Sequence, residues 1–65
     1  MFTCKIKYYR NLKNLTLKDL AKLTGLSIGY LAHLEIGSRK NPSITAMCTI
    51  ANVLDASVEE IFFSE

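Results

Sequence analysis

The sequence predicts an all-α domain of five helices joined by short loops. Apolar residues recur at spacings of three and four, and no segment alternates apolar with polar residues as a half-buried strand would. Residues that favour helix starts and stops divide this pattern: Thr16, Gly25, Ser27, Gly37, Ser43 and Ser57. The chain has 65 residues, enough for one small core, so residues 1–65 are predicted to form a single domain.

The first helix is predicted over about residues 3–13. Phe2, Ile6, Tyr9 and Leu12 recur near helical spacing and are expected to face the core. The lysines between and after these positions, at 5, 7 and 13, are expected to face solvent.

The second helix is predicted to begin after Thr16, whose hydroxyl can accept from the backbone N–H three residues on. Asp19 stands at that third position and gives the start the pattern of a capping box. Gly25 can adopt a left-handed conformation at no steric cost and is expected to end the helix. The buried side is predicted to consist of Leu20, Ala21 and Leu23.

Three further helices are predicted from their own capping residues. The third covers Ile28–Ile36 after Ser27, with Leu31 and Leu34 pointing inward and Gly37 as the stop. The fourth covers Ile44–Leu54 after Ser43. Its inward residues are predicted to be Ile44, Met47, Ala51 and Leu54. Ser57 and Glu60 form a capping box before a short last helix, predicted from Val58 to about Phe63.

The segment Thr16–Gly37 carries the most functional information. Two short helices joined by a three- or four-residue turn containing glycine form a helix-turn-helix layout, whose second helix enters the major groove of DNA. Ala21 is small where the helices cross, and Gly25 suits the turn. The second helix has apolar anchors on its inner face at Leu31 and Leu34.

Several short motifs at fixed spacing give the chain a family resemblance. They are Leu20-Ala21, Gly25-Leu26-Ser27, Tyr30-Leu31, Leu34-Glu35, Gly37, Asn41-Pro42-Ser43-Ile44, Ile50-Ala51 and Leu54. Together they resemble the phage repressor and Cro type of helix-turn-helix domain, the XRE family, over about residues 6–62. Within that family the chain looks most similar to small biofilm and sporulation repressors. The resemblance implies a compact, lambda-repressor-like DNA-binding domain with its helix-turn-helix at about residues 16–36.

The resemblance implies base contacts from the first turns of the third helix, at Ser27, Ile28, Gly29 and His33. Ile28 and Gly29 cannot form the paired hydrogen bonds with which amides and cations recognise adenine or guanine. Ile28 can contact a thymine methyl group, and Gly29 allows close approach of the helix. The alternatives are that His33 is an ordinary exposed histidine and that Ile28 is an apolar surface residue without a partner.

Phosphate contacts are expected from the start of the second helix and from the loop before the fourth, where backbone N–H groups and cations can meet an anion. The predicted residues are Thr16, Leu17, Lys18, Tyr30, Arg39, Lys40 and Asn41. The alternative for Tyr30 is half-buried packing between helices, and for Arg39 and Lys40 a solvated loop. The resemblance also implies a structural ion pair between Arg10 and Glu35.

Apolar residues at the end of the chain predict a homodimer, because exposed aromatic side chains often mark an interface. Members of the resembled family commonly pair through the last helix, so the predicted contacts are Val58, Ile61, Phe62 and Phe63. The alternative is that Ile61 and Phe62 complete the core of the single chain and only Phe63 is exposed.

The formal charge of +2 conceals an uneven distribution. Residues 1–40 hold all eight basic residues and two acidic ones, a net +6, whereas residues 41–65 hold four acidic residues, a net −4. Such a basic helix-turn-helix half would face a polyanion.

Other functional classes find little support in the sequence. Two distant cysteines, Cys4 and Cys48, indicate reduced thiols in a cytoplasmic protein, with a redox sensor as the alternative. One histidine, the separated thiols and the lack of an acidic cluster predict no metal site, no cofactor and no enzyme. No segment is predicted to cross a membrane.

The predicted function is that of a sequence-specific, double-stranded DNA-binding transcriptional regulator, expected to be a repressor. A homodimer would place its third helices in successive major grooves, ~34 Å apart, on a palindromic operator. A regulatory protein partner is a further expectation. The alternatives are a protein-interaction module with weak DNA binding, such as an antitoxin or anti-repressor, and the DNA-binding domain of a longer repressor.

Overall fold

The computed structural model describes residues 4–37 and 42–64, and within these ranges the chain forms five helices and no strand. They are α1 (Ile6–Leu12), α2 (Leu17–Thr24), α3 (Ile28–Ile36), α4 (Ile44–Leu54) and α5 (Glu59–Phe63). The last helix is a short π-helical segment. The predicted all-α, five-helix architecture is therefore confirmed, and the bounds of α3 and α4 agree with those predicted.

Polar caps and left-handed residues set the ends of the central helices. Thr16, Ser27 and Ser43 each accept a hydrogen bond from the backbone N–H three residues further on, at 3.0, 3.1 and 3.1 Å. Gly25 and Gly37 end α2 and α3 with φ angles of +76° and +80°, which other L-residues rarely adopt. Capping residues and glycines can be recognised in the sequence by their residue type, which is why these boundaries could be predicted.

Helix α1 is shorter than predicted. It begins at Ile6, after Lys5, which offers no side-chain cap. The backbone N–H of Lys5 donates instead to the carbonyl of Ile61, at 2.8 Å. This bond joins the segment before α1 to α5. Thr3, the predicted start of α1, and Phe2, which was predicted to face the core, lie outside the described residues.

A single core connects all five helices. Helix α2 packs against α3 and α4, while α1 packs against α3 and α5. The core consists of Ile6, Leu20, Leu31, Leu34, Ile50, Ala51, Leu54, Ile61 and Phe62. Most of these residues were predicted to face inward. Ile50 was not among them, although it is completely buried.

Three residues predicted to be buried are exposed: Leu12, Leu23 and Ile44. Each belongs to a roughly helical apolar pattern, but lies about 90–120° around its helix from the centre of the buried side. Short helices permit this error because one or two apolar residues define the pattern. In α4 the buried side is centred near Ile50, so Ile44 at the first turn faces solvent.

Candidate nucleic-acid interface

Helices α2 and α3 are joined by a turn that three adjacent residues hold in place. Gly25 donates its N–H to the carbonyl of Ala21, at 2.9 Å. The Thr24 hydroxyl donates to the carbonyl of Leu20, at 2.8 Å, and accepts from the N–H of Leu26, at 3.2 Å. The turn thus satisfies its own polar groups and fixes the direction in which α3 leaves α2.

The predicted base-contacting residues all lie exposed on the surface of α3. Ser27, Ile28, Gly29 and His33 are solvent-accessible, and 49% of the Ile28 surface is exposed. The Ser27 hydroxyl accepts from the N–H of Tyr30, so its own proton remains able to donate to an acceptor outside the protein. Their exposure makes these residues available to a ligand; their contacts with DNA stay a prediction.

Two further α3 residues share this surface and were missed by sequence reasoning. Ala32 and Ile36 follow Ile28 at intervals of four residues, which places all three on one side of the helix. Ile36 is 75% exposed. The four-residue spacing was visible in the sequence, but Ile36 was considered only as the last residue of the helix.

The start of α2 combines a cap with positive side chains. The backbone N–H of Thr16 donates to the Asp19 carboxylate at 3.0 Å, which completes the capping box. The pKa of Asp19 is held below its ordinary value, first by this backbone hydrogen bond, then by the Thr16 hydroxyl, and to a smaller extent by the nearby lysines. The first-turn N–H groups of Leu17 and Lys18 have no acceptor within the helix and suit an external anion. Lys18 and Lys22 are exposed.

The other predicted phosphate contacts differ in accessibility. Leu17 and Tyr30 are half-buried, and their side chains pack against the core. For Tyr30 this packing is the alternative considered above. Arg39, Lys40 and Asn41 lie outside the described residues.

The predicted ion pair between Arg10 and Glu35 is present. Arg10 Nε donates to Glu35 Oε2 at 2.9 Å, and the two side chains are only 13% and 11% exposed. A second guanidinium nitrogen reaches Glu35 Oε1 at 3.4 Å, and the third donates to the carbonyl of Leu15 at 2.8 Å. One arginine on α1 therefore fixes both the loop that leads into α2 and the end of α3.

The structure corrects the predicted dimer contacts. Ile61 and Phe62 are completely buried in the core of the single chain and offer no surface to a second copy. They were predicted as contacts because both are large apolar residues near the end of the chain, but α5 turns them inward. Val58 is half-buried, and Phe63 is 45% exposed. Of the four predicted contacts, these two keep surface that a second copy could meet.

The basic and acidic parts of the chain are less separated than the sequence implies. Helix α1 packs against the acidic helix α5, and Lys13 forms an ion pair with Asp55. Partial burial and then the Glu60 carboxylate of α5 raise the pKa of Tyr9 on α1. The charge of Lys13, just after α1, is therefore offset by Asp55, whereas Lys18 and Lys22 on α2 are exposed.

Comparison with known proteins identifies the architecture. The helix-turn-helix family model HTH_3 matches residues 6–61. The chain belongs to this family of DNA-binding transcriptional regulators. The resemblance to repressors of the XRE type is therefore confirmed.

Two curated relatives differ in how much of their length this chain covers. An uncharacterised helix-turn-helix transcriptional regulator of Methanocaldococcus jannaschii is 41% identical over 61 residues, which are 94% of this chain and 91% of that protein. SinR of Bacillus subtilis is 37% identical over 57 residues, 88% of this chain. The matched region spans about half of SinR, at 51% of its length.

Solved structures of SinR share the fold. SinR in complex with DNA matches with a TM-score of 0.81 and 38% identity, covering 85% of this chain and 87% of that one. The complex of SinR with SinI matches with a TM-score of 0.83, covering 86% of this chain and 54% of that one. At this identity, the likeness extends from the fold to the family.

Within residues 4–37 and 42–64, no three His, Cys, Asp or Glu side chains gather as metal ligands would, and no helix is long and apolar enough to cross a membrane. Burial raises the pKa of the Cys4 thiol, which disfavours the reactive thiolate. Helix-turn-helix regulators are not enzymes, in agreement with the prediction for this chain.

Proposed function

We propose that this regulator is a cytoplasmic repressor that binds a palindromic operator as a homodimer, with α3 in the major groove. The observation that carries the proposal is the similarity of fold and sequence to SinR solved in complex with DNA. The exposed residues of α3 and the lysines of α2 supply surfaces for bases and phosphates, respectively. Repression would follow if the bound dimer excludes other proteins from the operator.

The decisive experiment is selection of bound sequences from a random pool of DNA duplexes. A sequence-specific dimer should enrich two inverted half-sites whose centres are about 34 Å apart. The logarithm of its affinity should fall linearly with the logarithm of the salt concentration. Recovery of no common sequence would contradict the proposal.

A pair of lysine variants can test the predicted phosphate contact at α2. Lys18→Gln should weaken binding to all sequences about equally and reduce the salt slope by about one. Lys7→Gln, at an exposed position on α1, removes the same charge without touching the proposed interface. Equal effects of the two substitutions would mean that Lys18 acts only through net charge.

The dimer is proposed to use the exposed part of α5. Phe63 presents a partly exposed aromatic surface. Val58, the residue just before α5, is half-buried and packs against the core. Sedimentation equilibrium at tens of micromolar protein should detect the dimer, and Phe63→Ser should shift it towards monomer. A strictly monomeric species that protects only one half-site on DNA would overturn this part of the proposal.

A protein-interaction module with weak DNA binding is the second candidate function. The observation in its favour is the apolar character of the exposed α3 surface, which has few groups for hydrogen bonding to bases. SinR has been solved in complex with SinI, so a related fold does take part in a protein complex. A regulatory protein partner is compatible with both candidates, but only the second predicts weak binding that ignores DNA sequence.

A further inference from the structure

The outward side of α3 is nearly apolar. At 100° per residue, Ile28, Gly29, Ala32, His33 and Ile36 fall within one sector of about 140°, opposite the buried residues of the helix. We call these five residues the outer face of α3. All of them are exposed except Ala32, which is half-buried between Ile28 and Ile36.

The chemistry of the outer face limits what it can recognise. Ile28, Ala32 and Ile36 have no side-chain hydrogen-bonding group, and only His33 has one. No side chain on this face resembles the amides and guanidinium groups that form paired hydrogen bonds with adenine or guanine. In the major groove, the apolar feature that distinguishes one base from another is the 5-methyl group of thymine.

Gly29 is not required by the fold. Its φ is not in the left-handed region, and a Cβ atom at this position would meet no other atom within 4 Å. Glycine within a helix nevertheless lowers helix stability relative to alanine. A bare helix surface next to Ile28 would allow the backbone to approach a base edge closely.

We propose that α3 recognises its operator chiefly by apolar contact with thymine methyl groups, made by Ile28 with Ala32 one turn further on. Gly29 allows the helix to come near enough for this contact, and the Ser27 hydroxyl can donate to a neighbouring base acceptor. The inference rests on the proposed DNA-binding function and adds the chemical basis of its sequence preference. The outer face is assigned to DNA because it belongs to the second helix of the helix-turn-helix, and because α2, which packs against this helix, carries exposed lysines.

The test replaces thymidine with deoxyuridine in the selected operator. This change removes only the 5-methyl group and keeps base pairing, so it isolates the proposed contact. Fluorescence anisotropy at one fixed salt concentration should show that binding weakens about fourfold for each contacted methyl group. The thymidine operator, which differs only by the 5-methyl group, is the reference and should bind with full affinity.

Two variants identify the protein side of the contact. Ile28→Ala should lose most of the discrimination between thymidine and deoxyuridine operators, because most of the apolar surface that contacts the methyl group is gone. Leu12→Ala, at an exposed leucine on α1, should discriminate as the unmodified protein does. Circular dichroism should show that both variants remain helical.

Each outcome bears on one claim. Failure to select any sequence contradicts the proposed function itself. A selected operator without A·T pairs in its protected major grooves, or one whose binding is insensitive to deoxyuridine, overturns the methyl contact alone. It is also overturned if Ile28→Ala keeps the full discrimination. If Ile28→Ala changes neither affinity nor selectivity for DNA, Ile28 does not take part in operator recognition and the proposal is overturned.

Discussion

Replacing Arg10 by methionine should destabilise the domain by about 3 kcal/mol. The substitution preserves most of the apolar stem but leaves the Glu35 carboxylate, 11% exposed, without its cation. It also removes the donor to the Leu15 carbonyl. Breaking a buried ion pair from one side costs about 3–5 kcal/mol, and the lower figure suits a pair that retains slight exposure.

Urea unfolding followed by circular dichroism can measure this loss. Lys13→Met is the matched control, since it breaks an ion pair whose side chains are 37% and 74% exposed. Exposed pairs contribute at most about 1 kcal/mol. In a domain of this size, 3 kcal/mol corresponds to a decrease in Tm of about 12–24 °C.

A double variant separates a stranded charge from lost packing. If the Glu35 carboxylate causes the damage, Arg10→Met combined with Glu35→Leu should be more stable than Arg10→Met alone. The reasoning is refuted if Arg10→Met is no worse than Lys13→Met. It is also refuted if adding the Glu35 substitution only destabilises further.

Three other predictions concern the turn, the α2 cap and the thiols. Gly25→Ala should lower the stability measured by thermal unfolding by about 1 kcal/mol, because the φ angle of Gly25 is +76°. Gly29→Ala should instead stabilise the free domain by up to about 1 kcal/mol. Effects of equal sign would contradict this reasoning. Because folding lowers the pKa of Asp19, the stability it contributes is complete above its unfolded value, about 4, and is lost as pH falls through the folded value. Asp19→Asn should therefore flatten the acid limb of the stability profile, and an unchanged limb would refute the assignment. Exposed Cys48 should react with a thiol reagent before Cys4, whose thiol pKa is raised by burial; mass spectrometry of the labelled peptides reports the order.

The parts of the fold that could be predicted are those determined by residues close together in the sequence. A hydroxyl residue at the start and a glycine at the end determine α2 and α3 through backbone chemistry alone. The exposure of Leu23 was harder to predict, because the face that a short helix buries depends on packing partners that are distant in sequence. The inward turn of Ile61 and Phe62 likewise depends on α5 meeting α1.

The candidate interface divides in the same way. Ser27, Ile28 and Gly29 could be located because they follow directly from the α2–turn–α3 pattern. The proximity of the acidic helix α5 to α1 could not be anticipated, since it arises from packing between distant parts of the chain. The spacing of Ile36 from Ile28 also places it on the same side of α3, but it lies two turns beyond the helix start, where base contacts were predicted.

The hydrogen bond between the Lys5 N–H and the Ile61 carbonyl has a consequence for the order of folding. It closes a loop of more than fifty residues, so its formation costs more chain entropy than the local contacts between α2 and α3. We expect α2 and α3 to assemble early and the junction of α1 with α5 to form late. Amide hydrogen exchange at Lys5 should accordingly be faster than at the centre of α3, because the ends of the chain can separate while the central helices remain packed.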